Sequence, residues 1–119
     1  PIFKNKTLKT QYEVAKLERD KAEIQLQQKV VEAVAEVSNA VVTVDKQREQ
    51  LALAKERVDN AHLAVKNAGL LFKSGYATYL EVITAQSNAL NSDLDLVELR
   101  QQHLDAFVDL YRALGGGWR

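Results

Sequence analysis

The chain contains no cysteine, so neither a disulfide framework nor a thiolate metal site can hold it together. That absence leaves the compartment open. One proline and five glycines are spread over 119 residues, and these are the residues that most strongly end helices. Long uninterrupted segments are therefore expected. No apolar run approaches the roughly 18 residues that a membrane span needs, and Pro1 to Lys6 lack the apolar stretch of a signal peptide. Sixteen Lys plus Arg balance sixteen Asp plus Glu, so no net field draws the chain toward nucleic acid or an anionic membrane. No nucleic-acid partner is expected. A start at Pro1 rather than Met reads either as a processed product or as a piece excised from something longer, and the excised piece is the expectation.

Glycine and proline stand only at Pro1, Gly69, Gly75 and Gly115 to Gly117. Between them the stretch from Thr7 to Lys73 is rich in Ala, Glu, Gln, Lys and Leu, the good helix formers. At 1.5 Å per residue it predicts a helix about 100 Å long, and residues 79–114 predict a second about half that length. The remaining stretches are read as an extended lead-in over residues 1–6, a tip turn over 74–78 and a glycine-rich tail over 115–119. Because the first helix is nearly twice the second, its more polar N-terminal part, from Leu8 to Leu26, would overhang unless another element covers it.

Apolar residues recur every seven positions, the signature of a coiled-coil seam. Val30, Val37, Val44, Leu51, Val58, Val65 and Phe72 form one series. Three residues on from each lies a second, Ala33, Ala40, Ala54, Ala61 and Ala68, interrupted by Gln47. Alanine at one seam position lets helix axes approach closely while burying less surface than leucine would. On the second helix the regular series is Ile83, Leu90, Val97, Leu104 and Tyr111. Val34, Val41, Leu80, Leu94 and Val108 fall outside these series, so one two-helix contact cannot cover all of them. Each stripe reads as packing rather than as a cofactor site.

The link between the helices carries its own signals. Gly75 suits the left-handed residue that closes a helix, with Ser74 as C-cap and Tyr76 folding back toward Leu71. Thr78 followed by Glu81 reads as a capping box for the next helix. A link this short makes antiparallel neighbours. The fold class is therefore all-α, a long antiparallel coiled-coil hairpin.

Catalysis needs a concave site with convergent polar groups, and a helical pair offers little concavity. His62 follows Asp59 by three residues, and His103 sits near Asp105 and Arg100. Paired Glu-x-x-His motifs, which a carboxylate-bridged metal site in a bundle would use, do not occur. No glycine-rich loop joins a strand to a helix, so phosphate cradling is not expected either. Lys4, Lys6, Lys9, Lys16, Arg19 and Lys21 are interleaved with Glu13, Glu18 and Asp20, which reads as a solvated face. No enzyme activity, metal or cofactor is expected.

Three segments together resemble the second half of TolC-type outer-membrane efflux proteins. They are Phe72-Lys73-Ser74-Gly75-Tyr76-Ala77-Thr78-Tyr79-Leu80-Glu81-Val82-Ile83-Thr84-Ala85-Gln86, the later Leu110-Tyr111-Arg112-Ala113-Leu114-Gly115-Gly116-Gly117-Trp118, and the opening Pro1-Ile2-Phe3. The resemblance covers nearly the whole chain, and it rests on the order and spacing of the motifs. It implies a homotrimeric parent whose hairpins close a twelve-helix tube across the periplasm, continuous with a β-barrel in the outer membrane. It also implies that the tip, Ser74, Gly75, Tyr76, Ala77 and Thr78, docks a periplasmic adaptor (membrane fusion) protein that serves an inner-membrane transporter.

In that family an acidic ring and a hydrogen-bonded network narrow the entrance. Position by position, Glu81 matches a ring acid. The second acidic position is Thr84 here, and the network's tyrosine and arginine fall at Phe72 and Ala77, which cannot make those polar bonds. Glu81 has a second reading, as the capping residue, and the two are compatible. The competing interpretation of the chain is the coiled-coil hairpin of an adaptor protein or another helical scaffold. Taken alone, the fragment is expected to self-associate through its surplus seams.

Overall fold

The structure, a computed structural model, describes residues 2–116. It contains two helices, α1 (Ile2–Lys73) and α2 (Tyr79–Ala113). The chain divides into two units, Pro1–Ser38 and Asn39–Arg119. In the first unit the residues from Ile2 to Glu36 are helical with exposed side chains throughout. The second unit is the antiparallel hairpin, and it holds the buried residues Val44, Ala54, Ala89, Leu96 and Ala106.

Helix α1 starts earlier than the composition suggests. Residues 2–6 are helical, where an extended lead-in was expected. Nothing between Ile2 and Thr7 breaks a helix, and Thr7 and Thr10 turn their hydroxyls back onto the carbonyls of Phe3 (2.8 Å) and Lys6 (2.9 Å). Such i to i−4 bonds belong inside a helix rather than at its start. Pro1, the first residue of that lead-in, lies outside the described residues, as do Gly117, Trp118 and Arg119 of the tail.

Which face of each helix is covered tests the heptad reading directly. On α1 the half-buried and buried positions of the hairpin unit run Ala40, Val44, Gln47, Leu51, Ala54, Val58, Ala61, Val65, Ala68 and the adjacent Gly69. Gly69 apart, these belong to the two series read from the sequence, whose last member, Phe72, is exposed. On α2 the outcome differs. Ile83, Leu90, Val97, Leu104 and Tyr111 are all exposed, Leu90 by 59%. The covered series are instead Val82, Ala89, Leu96, His103 and Leu110, and Ala85, Ser92, Leu99, Ala106 and Ala113. The second helix is thus rotated by about one residue, roughly 100°, from the face its bulkiest heptad suggests.

Contacts across the hairpin fix the register. Phe72 faces Tyr79, and His62 bonds Asp93. Ala61 and Ala64 border a groove with Leu80, Ala85 and Asn88, and Gln50 and Ala54 border another with Leu99 and Gln102. Continued along the two helices, this register sets Val44 opposite Ala106, Leu51 opposite Leu99, Ala54 opposite Leu96 and Ala61 opposite Ala89. At most of these levels at least one of the two facing residues is alanine, Leu51 opposite Leu99 being the exception. That lets the backbones approach, and it explains the rotation: the Ile83 face carries side chains too large for the close packing that the alanines of α1 set up.

Helix α2 ends in a second glycine turn. Gly115 has φ +84°; its N–H donates to Arg112 O (2.9 Å), and that of Gly116 to Tyr111 O (2.9 Å). This pair of bonds is a Schellman motif. A Cβ at Gly116 would overlap the Tyr111 ring.

The rotated seam predicts that Leu96→Ala, at a position 8% exposed, destabilises the hairpin by about 2–3 kcal/mol. Leu90→Ala, from the sequence-derived series, should stay within about 0.5 kcal/mol in dilute solution. Urea denaturation followed by circular dichroism measures both, and the opposite ranking would restore the original face.

Candidate functional site

The tip is built almost wholly from local rules. Ser74 donates the last regular i to i−4 helical bond, and two bonds of another pattern close the end. The N–H of Ser74 reaches Leu70 O (3.1 Å), that of Gly75 reaches Phe72 O (3.1 Å) and that of Tyr76 reaches Leu71 O (2.9 Å). Gly75 has φ +82°, a region in which an L side chain is strained. The last two bonds make the Schellman motif expected there. Its backbone part is complete, while the Tyr76 side chain remains 84% exposed.

Thr78 then restarts the chain. Its extended backbone (φ −85°, ψ 159°) makes it the N-cap of α2. The backbone N–H of Glu81 donates to Thr78 Oγ1 (3.4 Å), and the backbone N–H of Thr78 donates to Glu81 Oε2 (2.6 Å). The Thr78 hydroxyl donates to the same carboxylate oxygen (3.3 Å). This is the capping box read from the sequence. A carboxylate here also meets the positive end of the α2 dipole, and Lys73 meets the negative end of α1. Across the turn the Phe72 and Tyr79 rings tilt together, with centroids 5.8 Å apart and planes at 56°.

The turn brings the sequence-predicted tip residues into one short surface. Ser74, Gly75, Tyr76 and Thr78 are exposed and Ala77 is half-buried. Glu81 is exposed and held in the cap. Of the positions matched to the entrance network, Thr84 donates its hydroxyl back to Leu80 O (2.8 Å). Phe72, matched to another of those positions, forms an aromatic contact with Tyr79.

Two features of the hairpin were not legible beforehand. His62 Nε2 lies 3.1 and 3.2 Å from the two carboxylate oxygens of Asp93, whereas the sequence pairs it with Asp59. The partner sits on the other helix, and only the register identifies it. The second is a polar pair inside the seam, Gln47 and His103. Gln47 Oε1 and His103 Nδ1 are both buried without a hydrogen-bond partner among the described residues. The His103 ring instead meets the Phe107 ring edge-on, with centroids 4.8 Å apart.

These contacts rank in strength. Thr78→Ala removes a cap and should cost about 0.5–2 kcal/mol; Gly75→Ala should cost about 1 kcal/mol, and Gly75→Asn less, since asparagine tolerates the left-handed region better. His62 and Asp93 are 56% and 43% exposed, so a double-mutant cycle to alanine should give a coupling below about 1 kcal/mol in solvent. A His62–Asp93 coupling larger than the Thr78 cap would overturn the ranking.

A family model described as outer membrane efflux protein matches residues 1–116. The chain is 25% identical over 118 residues to "Probable outer membrane lipoprotein SilC" of Salmonella typhimurium, a match that covers 99% of the chain and 26% of that protein. It is 24% identical over 119 residues to "Cation efflux system protein CusC" of Escherichia coli O6:H1, covering 100% of the chain and 26% of the relative. With "Solvent efflux pump outer membrane protein SrpC" of Pseudomonas putida it shares 29% over 118 residues, 99% of the chain and 25% of the relative. No solved structure matches it. The chain spans about a quarter of the length of these curated relatives. With the model extending over nearly all of its residues, the chain belongs to the outer membrane efflux protein family.

Proposed function

We propose that this hairpin is the periplasmic part of an outer-membrane efflux channel component of a tripartite export pump, forming tunnel wall along its length and docking an adaptor protein at its tip. The observation that carries the reading is the second apolar face of α2. Ile83, Leu90, Val97, Leu104 and Tyr111 are exposed, yet they repeat with the spacing of a seam. A lone hairpin has no use for a second seam, and repeated apolar exposure of this kind marks a surface built to be covered. A tube wall gives every helix a neighbour on each side, so the spare face is covered by the next helix. The relatives' names, which speak of efflux systems and pumps, support the same assignment.

In this reading the parent is a homotrimer and works without catalysis of its own; an inner-membrane transporter supplies the energy. The adaptor meets Ser74, Gly75, Tyr76, Ala77 and Thr78, whose backbone is fixed by the two caps while Tyr76 stands clear of the turn. Glu81 contributes to an acidic entrance ring with the carboxylate oxygen that the cap leaves free. Its engaged oxygen, Oε2, is held by Thr78.

The docking site is tested in the full-length channel protein. A photo-crosslinker near the tip should capture the adaptor, and Gly75→Phe and Tyr76→Ala should each reduce that capture at unchanged helicity. Undiminished capture in both variants would remove the tip from the interface. The spare seam makes a separate prediction about the 119-residue chain alone: light scattering should detect association that rises with concentration, and Leu90→Glu with Val97→Glu should abolish it. A strict monomer at high concentration would count against the surplus face.

A further inference from the structure

The covered seam of the hairpin is apolar apart from Ser92 and the level at which the register sets Gln47 opposite His103. Two polar residues of α2 stand in the covered series, and they are handled differently. Ser92 donates its hydroxyl to Asn88 O (3.0 Å) on its own helix, so the seam loses little there. Gln47 Oε1 and His103 Nδ1 have no such outlet among the described residues. Each is a polar atom taken from water with no protein hydrogen bond in return, which weakens the folded state locally.

The position of this layer matters. Between it and the tip lie Leu51 opposite Leu99, Ala54 opposite Leu96 and Ala61 opposite Ala89, ending in the Phe72–Tyr79 contact and the two caps. On its other side, within the hairpin unit, remain Val44 opposite Ala106 and Ala40 opposite Leu110. The first group is anchored by a covalent turn. The second lies away from that turn and is separated from the first by the unsatisfied layer.

We propose that the Gln47–His103 layer divides the hairpin into two units of opening, so that the segments Ala40–Val44 and Ala106–Leu110 part from each other while the tip-side seam stays closed. Proteins open locally in contiguous units whose limits fall where few favourable contacts cross, and this layer is such a limit. The inference rests on the hairpin's packing alone. Its failure would leave the channel reading intact, and a failure of the channel reading would leave it intact in turn.

Hydrogen exchange of the 119-residue chain, followed by mass spectrometry or NMR, tests the division. Amides of Leu104–Leu110 should exchange at one rate and those of Gln86–Leu99 at another at least about tenfold slower, with the step at His103 rather than a smooth gradient. Repeating the measurement at lower concentration separates opening from association between copies. The double variant Gln47→Leu with His103→Leu supplies a layer like Leu51–Leu99 and should slow the Leu104–Leu110 amides by about tenfold or more, with little change near the tip. The wild-type step is read without any variant, so a misfolded double variant does not decide the matter. A smooth gradient in the wild type, or a folded double variant with unchanged Leu104–Leu110 exchange, would overturn the proposal.

Discussion

Close approach of two helices through alanine is the constraint on which the hairpin depends. Ala54 and Ala89 are each only 4% exposed, and side chains this small leave room only if the facing backbone comes near. Once the spacing is set, it decides which face of α2 turns inward. A face carrying Ile83, Leu90 and Leu104 would hold the helices apart, so α2 presents Ala85, Ala89, Ser92 and Ala106 together with Leu96 and Leu99. The large residues are left outside. One requirement thus produces both the narrow seam of the hairpin and the apolar surface that supports the tunnel-wall reading.

The tip obeys a different kind of control. Its geometry is set by a few backbone bonds and one glycine conformation, and the long seam has only to continue what the turn begins. The Schellman bonds end α1, the Thr78–Glu81 box starts α2, and Phe72 against Tyr79 ties the two starting points together. Cross-helix polar contacts add little: the His62–Asp93 pair is largely in solvent, where such pairs contribute weakly. Order therefore propagates from the turn outward along matched apolar layers, and the layer at Gln47 and His103 interrupts it.

The legibility of each feature in the sequence follows the range of the interaction that determines it. Gly75, Thr78 and Glu81 act within a few residues, and their roles can be read from spacing. The α1 seam is also visible, because Val44, Leu51 and Val58 are large and its alternate positions are nearly all alanine. The α2 seam is concealed, since Ala89, Ser92, Ala106 and Ala113 are small and His103 is polar, while the bulkier Ile83 series repeats with equal regularity. Hydrophobic periodicity locates a face that seeks burial but does not say against what. The partnership of His62 with Asp93 and the loss of solvent at Gln47 Oε1 and His103 Nδ1 are further removed still, because each needs the register of two helices. The helical start at Ile2 is obscured for the converse reason: Pro1 is a breaker, but the residues that follow it contain none.

Closing the turn through main-chain bonds has a consequence for how this tip can vary. Among the described residues, Thr78 and Glu81 are the side chains from Ser74 to Glu81 whose hydrogen bonds hold the bend, and Gly75 serves it through its backbone. Ser74, Tyr76 and Ala77 can therefore be exchanged without dismantling it. Shape and surface chemistry are separately inherited at this end of the molecule, so new surface chemistry can be explored there at little structural risk.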